Sequence, residues 1–214
     1  MSTSDDQKRR VSKVPPDAVV SERGAVVAAG ARTSALCGHD ILEQGGNAID
    51  AAVAAALCAA VVEPGACGIA GYGAHLTIAR ANGQVTCIDA NSSAPQAAPP
   101  DMFPADAAGQ VRGKTNYYGW LAAGIPGTLA GLQLALDRYG TQNFGDVVAP
   151  AIRYARDGFR VNEFVAETIA SVAVHLERDP PSKRLYTSPV VLPVGTPISA
   201  SGCFVHHARI CASS

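Results

Sequence analysis

The sequence predicts a mixed α/β (α+β) fold, with a strand-rich first half followed by a helix-rich second half. Three observations carry this. His75, Thr77 and Ala79 alternate with Leu76, Ile78 and Arg80 just before Asn82-Gly83, the pattern of a β-hairpin. The 12 residues from Ala51 to Val62 are apolar without interruption. Leu129, Leu132, Leu136 and Tyr139 recur at helical spacing.

Taken in order, residues 1–23 read as a flexible leader containing Pro15-Pro16 and a charged patch. Gly24 to Ala29 reads as a short buried strand. Ser34 is placed to cap a helix running to about Gln44. Gly45-Gly46 ends that helix, because glycine tolerates the left-handed conformation at a helix C-terminus. Asn47 is the expected N-cap of the next helix, with Asp50 at its third position near the positive end of the dipole. This helix carries almost no polar residue until Glu63-Pro64, so it belongs in the middle of a core. Pro64 stops it.

A glycine-rich turn over residues 65–73 leads into the hairpin, for which Asn82-Gly83 suggests a type I′ turn and Val85 to Ala90 the return strand. Residues 91–118 hold Pro95, Pro99, Pro100 and Pro104 and read as an ordered loop. Tyr118 to Ala123 suggests another strand. Pro126 suits the first position of a helix closed by Gly140. A second helix is expected over Phe144 to Arg156, ending at Gly158. A third starts at Asn162, with Val165, Ile169, Val172 and Leu176 on one face. No internal repeat is visible.

Composition narrows the function. The chain has 214 residues, 48% hydrophobic and 16% charged, which is the balance of a globular protein with a sizeable core. A net charge of −1 offers no basic surface for nucleic acid or an acidic membrane. The polar first ten residues lack the apolar stretch of a secretory signal, and the run from Ala51 to Val62 is too short to span a bilayer. These features lead us to expect a soluble, cytoplasmic protein with neither nucleic-acid nor membrane partners.

The six cysteines include no Cys-x-x-Cys pair, so no metal site is expected; Cys37 and Cys58, set among alanines and leucines, read as small core residues. Gly68-Ile-Ala-Gly71-Tyr-Gly73 follows a helix rather than a strand and lacks the spacing of a nucleotide loop. His206-His207 reads as solvated tail, and His39 and His75 have no evident partner in the sequence. Glu63 is the odd charge. It falls at the negative end of a buried helix, so it is either solvated or held by a donor, and a structural partner outweighs a catalytic role. Physical reading of the residues gives no reaction.

A series of longer segments does. Ile41-Leu-Glu-Gln-Gly-Gly-Asn-Ala-Ile-Asp-Ala-Ala-Val-Ala-Ala, Val61-Val-Glu-Pro, Ala94-Pro, Pro100-Asp-Met-Phe, Gly124-Ile-Pro-Gly-Thr-Leu-Ala-Gly-Leu, Tyr139-Gly-Thr and Ala149-Pro-Ala-Ile-Arg follow one another in a set order. Together they resemble the γ-glutamyltransferase (γ-glutamyltranspeptidase, glutathione hydrolase) family over about residues 24–192. The resemblance implies an incomplete αββα sandwich of the N-terminal-nucleophile hydrolase type. It also implies a precursor that cuts itself, so that a threonine begins the small subunit. That threonine's hydroxyl attacks a γ-glutamyl amide, its own amine acts as base, and no cofactor is needed.

In this reading residues 24–195 are the N-terminal part of the large subunit, and residues 196–214 a divergent tail. The family's threonine lies in a Thr-Thr-His segment that has no counterpart here, so no catalytic residue carries over and the chain alone is expected to be inactive. Its partner would be the missing small subunit, and its substrate a γ-glutamyl or related acyl amide. In the family, an Arg-Glu-Thr-Ala-Pro run after the hairpin supplies an arginine that grips the substrate α-carboxylate. Here the run is Asn91-Ser92-Ser93-Ala94-Pro95, which makes Asn91, Ser92 and Ser93 the expected substrate-binding residues and suggests a different acyl group. A non-catalytic scaffold or ligand-binding protein is the alternative.

Overall fold

In the computed structural model, which describes residues 19–20, 26–27, 29–70, 73–187 and 193–198, the first elements are two short antiparallel strands. These are β1 (Val19–Val20) and β2 (Val26–Val27). β1 lies within the stretch expected as a leader, and the rest of that leader is outside the described residues. Helix α1 (Arg32–Glu43) follows. Its N-cap is Ala31, not Ser34, and no side chain of its own caps it. Ser34 is instead fully buried within the first turn, and its hydroxyl meets no oxygen or nitrogen partner. At the other end Gly45 has φ +93°. Gly45 N donates to Leu42 O and Gly46 N to Ile41 O, a Schellman closure of the kind the two glycines predict.

Asn47 caps helix α2 (Ala48–Val62) as expected: its Oδ1 accepts from Ile49 N and Asp50 N, while Asp50 Oδ2 accepts from Asn47 N. α2 packs against α1 over most of its length. Ala51, Val53, Ala54, Leu57, Cys58 and Val61 are buried, whereas Ala48, Ala52 and Ala56 form an exposed row, so the face left open carries only methyl groups. Glu63 is the C-cap of α2 and is buried. Its carboxylate accepts from Ala31 N, at the uncapped start of α1, and a Cβ on Gly30 would collide with it. The donor was thus supplied by another helix.

Strands β3 (Gly73–Ala79) and β4 (Val85–Asn91) pair antiparallel from Gly73↔Asn91 to Ala79↔Val85. The turn lies where Asn82-Gly83 placed it, but its type differs. Gly83 N donates to Arg80 O, Arg80 N donates to Gln84 O, and Gly83 alone has a positive φ, +82°. This is a three-residue loop, a type I turn closed by a glycine bulge, rather than type I′. One face of the hairpin buries Ile78, Ile88 and Ala90 beneath helix α3 (Thr128–Tyr139); the other exposes His75, Thr77, Asp89 and Asn91.

The strand expected over Tyr118 to Ala123 is absent: Trp120–Ala122 form a 3-10 turn. Ala122 N and Ala123 N donate back to Gly119 O and Trp120 O. Among the described residues no neighbouring strand offers those groups a ladder, and they pair locally. α3 starts two residues after Pro126. α4 (Phe144–Asp157) is capped by Asn143, and α5 (Glu163–Leu176) by Asn162, whose Oδ1 accepts from Val165 N at 2.8 Å. β5 (Phe159–Arg160) pairs with β6 (Pro197–Ile198), and a short helix, α6 (Pro180–Ser182), runs into a π turn over Lys183–Thr187. The fold is α+β, with Ile41, Val53, Leu57, Leu136, Val147 and Val165 at the centre of its core. His206-His207 and the tail beyond Ile198 lie outside the described residues.

Candidate substrate corner at the end of strand β4

Asn91 is the last residue of β4 and lies opposite Gly73. Gly73 has φ +105°, and a Cβ there would come within 2.8 Å of Ser92 N. On the other side the chain returns through Gly124-Ile125-Pro126-Gly127. Ser93 N donates to Ile125 O at 3.1 Å and Ile125 N to Ser93 O at 2.8 Å, a short antiparallel bridge. A Cβ on Gly127 would sit 2.9 Å from Ala90 O, and one on Gly131 would run into the Ala90 side chain. The corner is therefore walled by backbone, and α3 lies close on β4 because Gly131 within it and Gly127 at its N-cap have no side chain.

Within that corner the three expected residues stand in sequence. Asn91 and Ser93 are exposed and Ser92 is half-buried. Asn91 N donates to Asp89 Oδ1 at 3.0 Å, and Asn91 Oδ1 accepts from Ser92 N at 3.0 Å. The amide carbonyl is thus committed, and its NH2 is the donor that Asn91 can offer a ligand. Beside Ser92 and Ser93 opens a cavity of about 260 Å³, lined also by Pro95, Met102, Phe103 and Leu121.

Among the described residues, the charges nearby are not those of a carboxylate grip. On the same exposed face His75 Nε2 lies 3.3 Å from Asp89 Oδ1, which gives His75 the partner the sequence did not reveal. His39 likewise lies 3.7 Å from both Asp40 and Glu43. Arg80 is at the far end of the hairpin, about 20 Å from Asn91 along a strand rising ~3.3 Å per residue. There Arg80 bonds Gln84 Oε1 at 3.1 Å, and its guanidinium lies 6.0 Å from the Tyr139 ring centroid. Arg112 is exposed on a 3-10 turn over Arg112–Lys114. Among the described residues no cluster of three His, Cys, Asp or Glu could hold a metal ion, and no helix is long and apolar enough to cross a membrane.

Sequence reasoning named Asn91, Ser92 and Ser93 as candidates and gave no sign of the glycine walls or of the cavity beside them. The available signal was the four-residue spacing of Gly127, at the N-cap of α3, and Gly131, within it, opposite a neighbour, Ala90, that is itself small. Glu63 belongs to the α1–α2 junction and not to this corner.

Comparison with known proteins adds the context. The sequence model of the family described as Gamma-glutamyltranspeptidase matches residues 34–202, past the point near Gly195 where the likeness was expected to stop. Over 150 residues the chain is 44% identical to a glutathione hydrolase proenzyme of Escherichia coli, covering 70% of this chain and 26% of that protein. Over 182 residues it is 38% identical to Acylase ACY 1 proenzyme of a Pseudomonas strain, covering 82% of this chain and 31% of that protein. The crystal structure of Helicobacter pylori γ-glutamyltranspeptidase superposes with a TM-score of 0.76 at 34% identity, over 82% of this chain and 50% of that one. The chain spans about a quarter to a third of the length of these curated relatives.

Proposed function

Because this chain belongs to the γ-glutamyltranspeptidase family, we propose that it is the N-terminal part of the large subunit of an enzyme that transfers or hydrolyses a γ-glutamyl or related acyl group from an amide. On this reading the half-built αβ layer, α1 to α3 over the β3–β4 hairpin, receives the rest of an αββα N-terminal-nucleophile sandwich from the downstream part. The attacking threonine comes with that part, so the chain alone is inactive. No cofactor enters the scheme: the threonine hydroxyl attacks the amide carbonyl, its amine takes the proton, and the acyl group passes to water or an amine.

The observation that carries the reading is the corner at Asn91. It puts polar groups at the end of β4, beside a cavity, at the position where the family's arginine is expected. What it offers there is an amide NH2 and two hydroxyls. An arginine fork meets a carboxylate with its own positive charge and two parallel hydrogen bonds, which an amide NH2 and two hydroxyls do not supply, so affinity for an anionic α-carboxylate should be lower by roughly tenfold or more. Asp89, next to this corner, would repel a carboxylate further. These features favour a less anionic acyl group, and the likeness to a protein named as an acylase points the same way.

The test is to assemble the complete enzyme from this chain and its downstream part, and compare γ-glutamyl with neutral acyl anilides. Preference for neutral acyl groups is expected, with Asn91→Arg raising γ-glutamyl turnover. Efficient γ-glutamyl turnover by the unmodified enzyme, with no gain from Asn91→Arg, would overturn the specificity argument. No turnover of any acyl amide by the assembled enzyme would favour the non-catalytic scaffold.

A further inference from the structure

Where α1 crosses α2, two thiols meet. Cys37 on α1 and Cys58 on α2 are 1% and 0% exposed, and their Sγ atoms are 2.7 Å apart. The helices can come this close because the residue after Cys37 is Gly38, where a Cβ would sit 2.7 Å from Ala51 O. Bringing two sulfurs from this separation to a bonded ~2.05 Å needs a shift of under about 1 Å, within reach of small side-chain rotations. The other described thiols stand elsewhere. Cys67 is half-buried beyond the end of α2, with Sγ 4.0 Å from Glu63 O, and Cys87 is exposed on the open face of the hairpin.

We propose that Cys37 and Cys58 form a disulfide that staples α1 to α2 when the chain folds in the presence of a small-molecule disulfide. One cysteine thiolate attacks a sulfur of the reagent and displaces one thiolate, leaving a mixed disulfide. The second cysteine attacks the protein sulfur of that mixed disulfide and displaces the other. Two protein thiols lose two electrons and two protons; the reagent gains both and leaves as two thiols.

The timing follows from burial. In the folded dithiol, the neighbouring Cys37 thiol and burial hold Cys58 far above the usual thiol range, and the nearby Ser34 hydroxyl offsets this only in part. A buried, protonated thiol is a poor nucleophile, and no reagent reaches it. The exchange therefore belongs to the interval in which α1 and α2 are docking. Once closed, the bond ties residues 21 positions apart and restricts the unfolded chain. In a reducing compartment the same pair stays as two thiols packed in the core.

The experiment uses the full chain, reduced and denatured, then refolded with bis(2-hydroxyethyl) disulfide. It is next alkylated in denaturant and digested without reduction. The expected product is one peptide pair joining Cys37 to Cys58, lighter by two hydrogens than the reduced pair, with Cys67 and Cys87 alkylated. The oxidised chain should melt at a higher temperature than the reduced one, and Cys37→Ser should abolish the difference. The folded, reduced chain should react roughly tenfold or more slowly than the refolding chain. A variant with Cys67, Cys87, Cys203 and Cys211 all changed to serine should still lose two thiols on oxidative refolding. Full alkylation of Cys37 and Cys58 after oxidative refolding, or links from either to other cysteines, would overturn the assignment. Equal reaction of folded and refolding chains would overturn the timing.

Discussion

The hydroxyl of Thr141 donates to Asp50 Oδ2 at 2.6 Å, joining residues 91 positions apart in sequence. Thr141 N and Gln142 N donate to the same carboxylate, at 3.0 and 3.3 Å, and Asn47 N donates at 2.8 Å. Asn47 Nδ2 meanwhile reaches Tyr139 O at 2.7 Å. The capping box of α2 is thus also the clasp that holds the α3–α4 connection. Gly140 makes room for it, since a Cβ there would come within 2.7 Å of Asp50 Oδ1. Burial pushes the Asp50 carboxyl up, but the Thr141 hydroxyl and the three backbone N–H groups more than offset this and hold it below the ordinary aspartate value.

Asp50→Ala leaves those four donors unmet and should cost about 3 kcal/mol or more in denaturant titrations near neutral pH. Because the folded carboxyl is depressed, its contribution is present above the unfolded value of about 3.9 and fades as pH falls through the folded value. Asp50→Asn should lose stability at neutral pH yet converge with the unmodified chain in acid. An equal deficit at both pH values would contradict this.

Glu63 should behave in the opposite sense. Burial raises its carboxyl pKa, and the Ala31 N–H bond offsets this only in part. Its contribution is therefore fully present below the unfolded value of about 4.3 and is lost as pH rises through the folded value. Glu63→Gln keeps an acceptor for Ala31 N without the charge, so it should stabilise the chain at neutral pH and lose that advantage in acid. Glu63→Ala should cost about 1–3 kcal/mol, because the N–H is left unmet. Parallel denaturation curves of the two variants at both pH values decide the matter.

Gly131→Ala places a methyl where the Ala90 side chain already is. Overpacking of this kind costs about 1–3 kcal/mol. The loss should be largely recovered by the double variant Gly131→Ala with Ala90→Gly, which a thermal melt of the three proteins will show.

The purified chain should release no p-nitroaniline from a γ-glutamyl anilide above a heat-killed control. Amide cleavage needs an activated nucleophile, which on the proposed reading arrives with the downstream part. Activity in the pure chain would refute this.

Trp120 is the single tryptophan of the sequence and is 98% exposed, with Tyr117, Leu121 and Ile125 exposed near it in sequence. Its emission should match that of free tryptophan in water, and the chain should bind a hydrophobic dye through this patch. Trp120→Ser with Leu121→Ser should reduce dye binding. A blue-shifted emission from the isolated chain would show that Trp120 is covered.

Local interactions were legible in the sequence. The Asn47 and Asp50 cap of α2, the glycine closure of α1 and the cap at Asn162 each depend on residues within one turn of each other. Features set by distant partners were not. Ser34 has the composition of a cap but lies in the first turn of α1, whose free N–H at Ala31 is met by Glu63. Tyr118 to Ala123 has the apolar residues of a strand but no strand beside it among the described residues. At the candidate site, Asn91, Ser92 and Ser93 are candidates by family resemblance alone. The walls of Gly73, Gly124 and Gly127 act through the absence of a side chain, and what that absence admits is visible only in three dimensions.

The β3–β4 hairpin has no third strand among the described residues, and a two-stranded ribbon in water is marginal by itself. Its buried face rests on α3, in the contact that Gly131 and Ala90 permit. Ribbon and helix should therefore open as one cooperative unit, and the corner at Asn91 with them. In amide hydrogen exchange, Ile88 and Ala90 of β4 should share one protection factor with Leu132 and Ala135 of α3. The geometry of the candidate corner is then only as persistent as the docking of that helix.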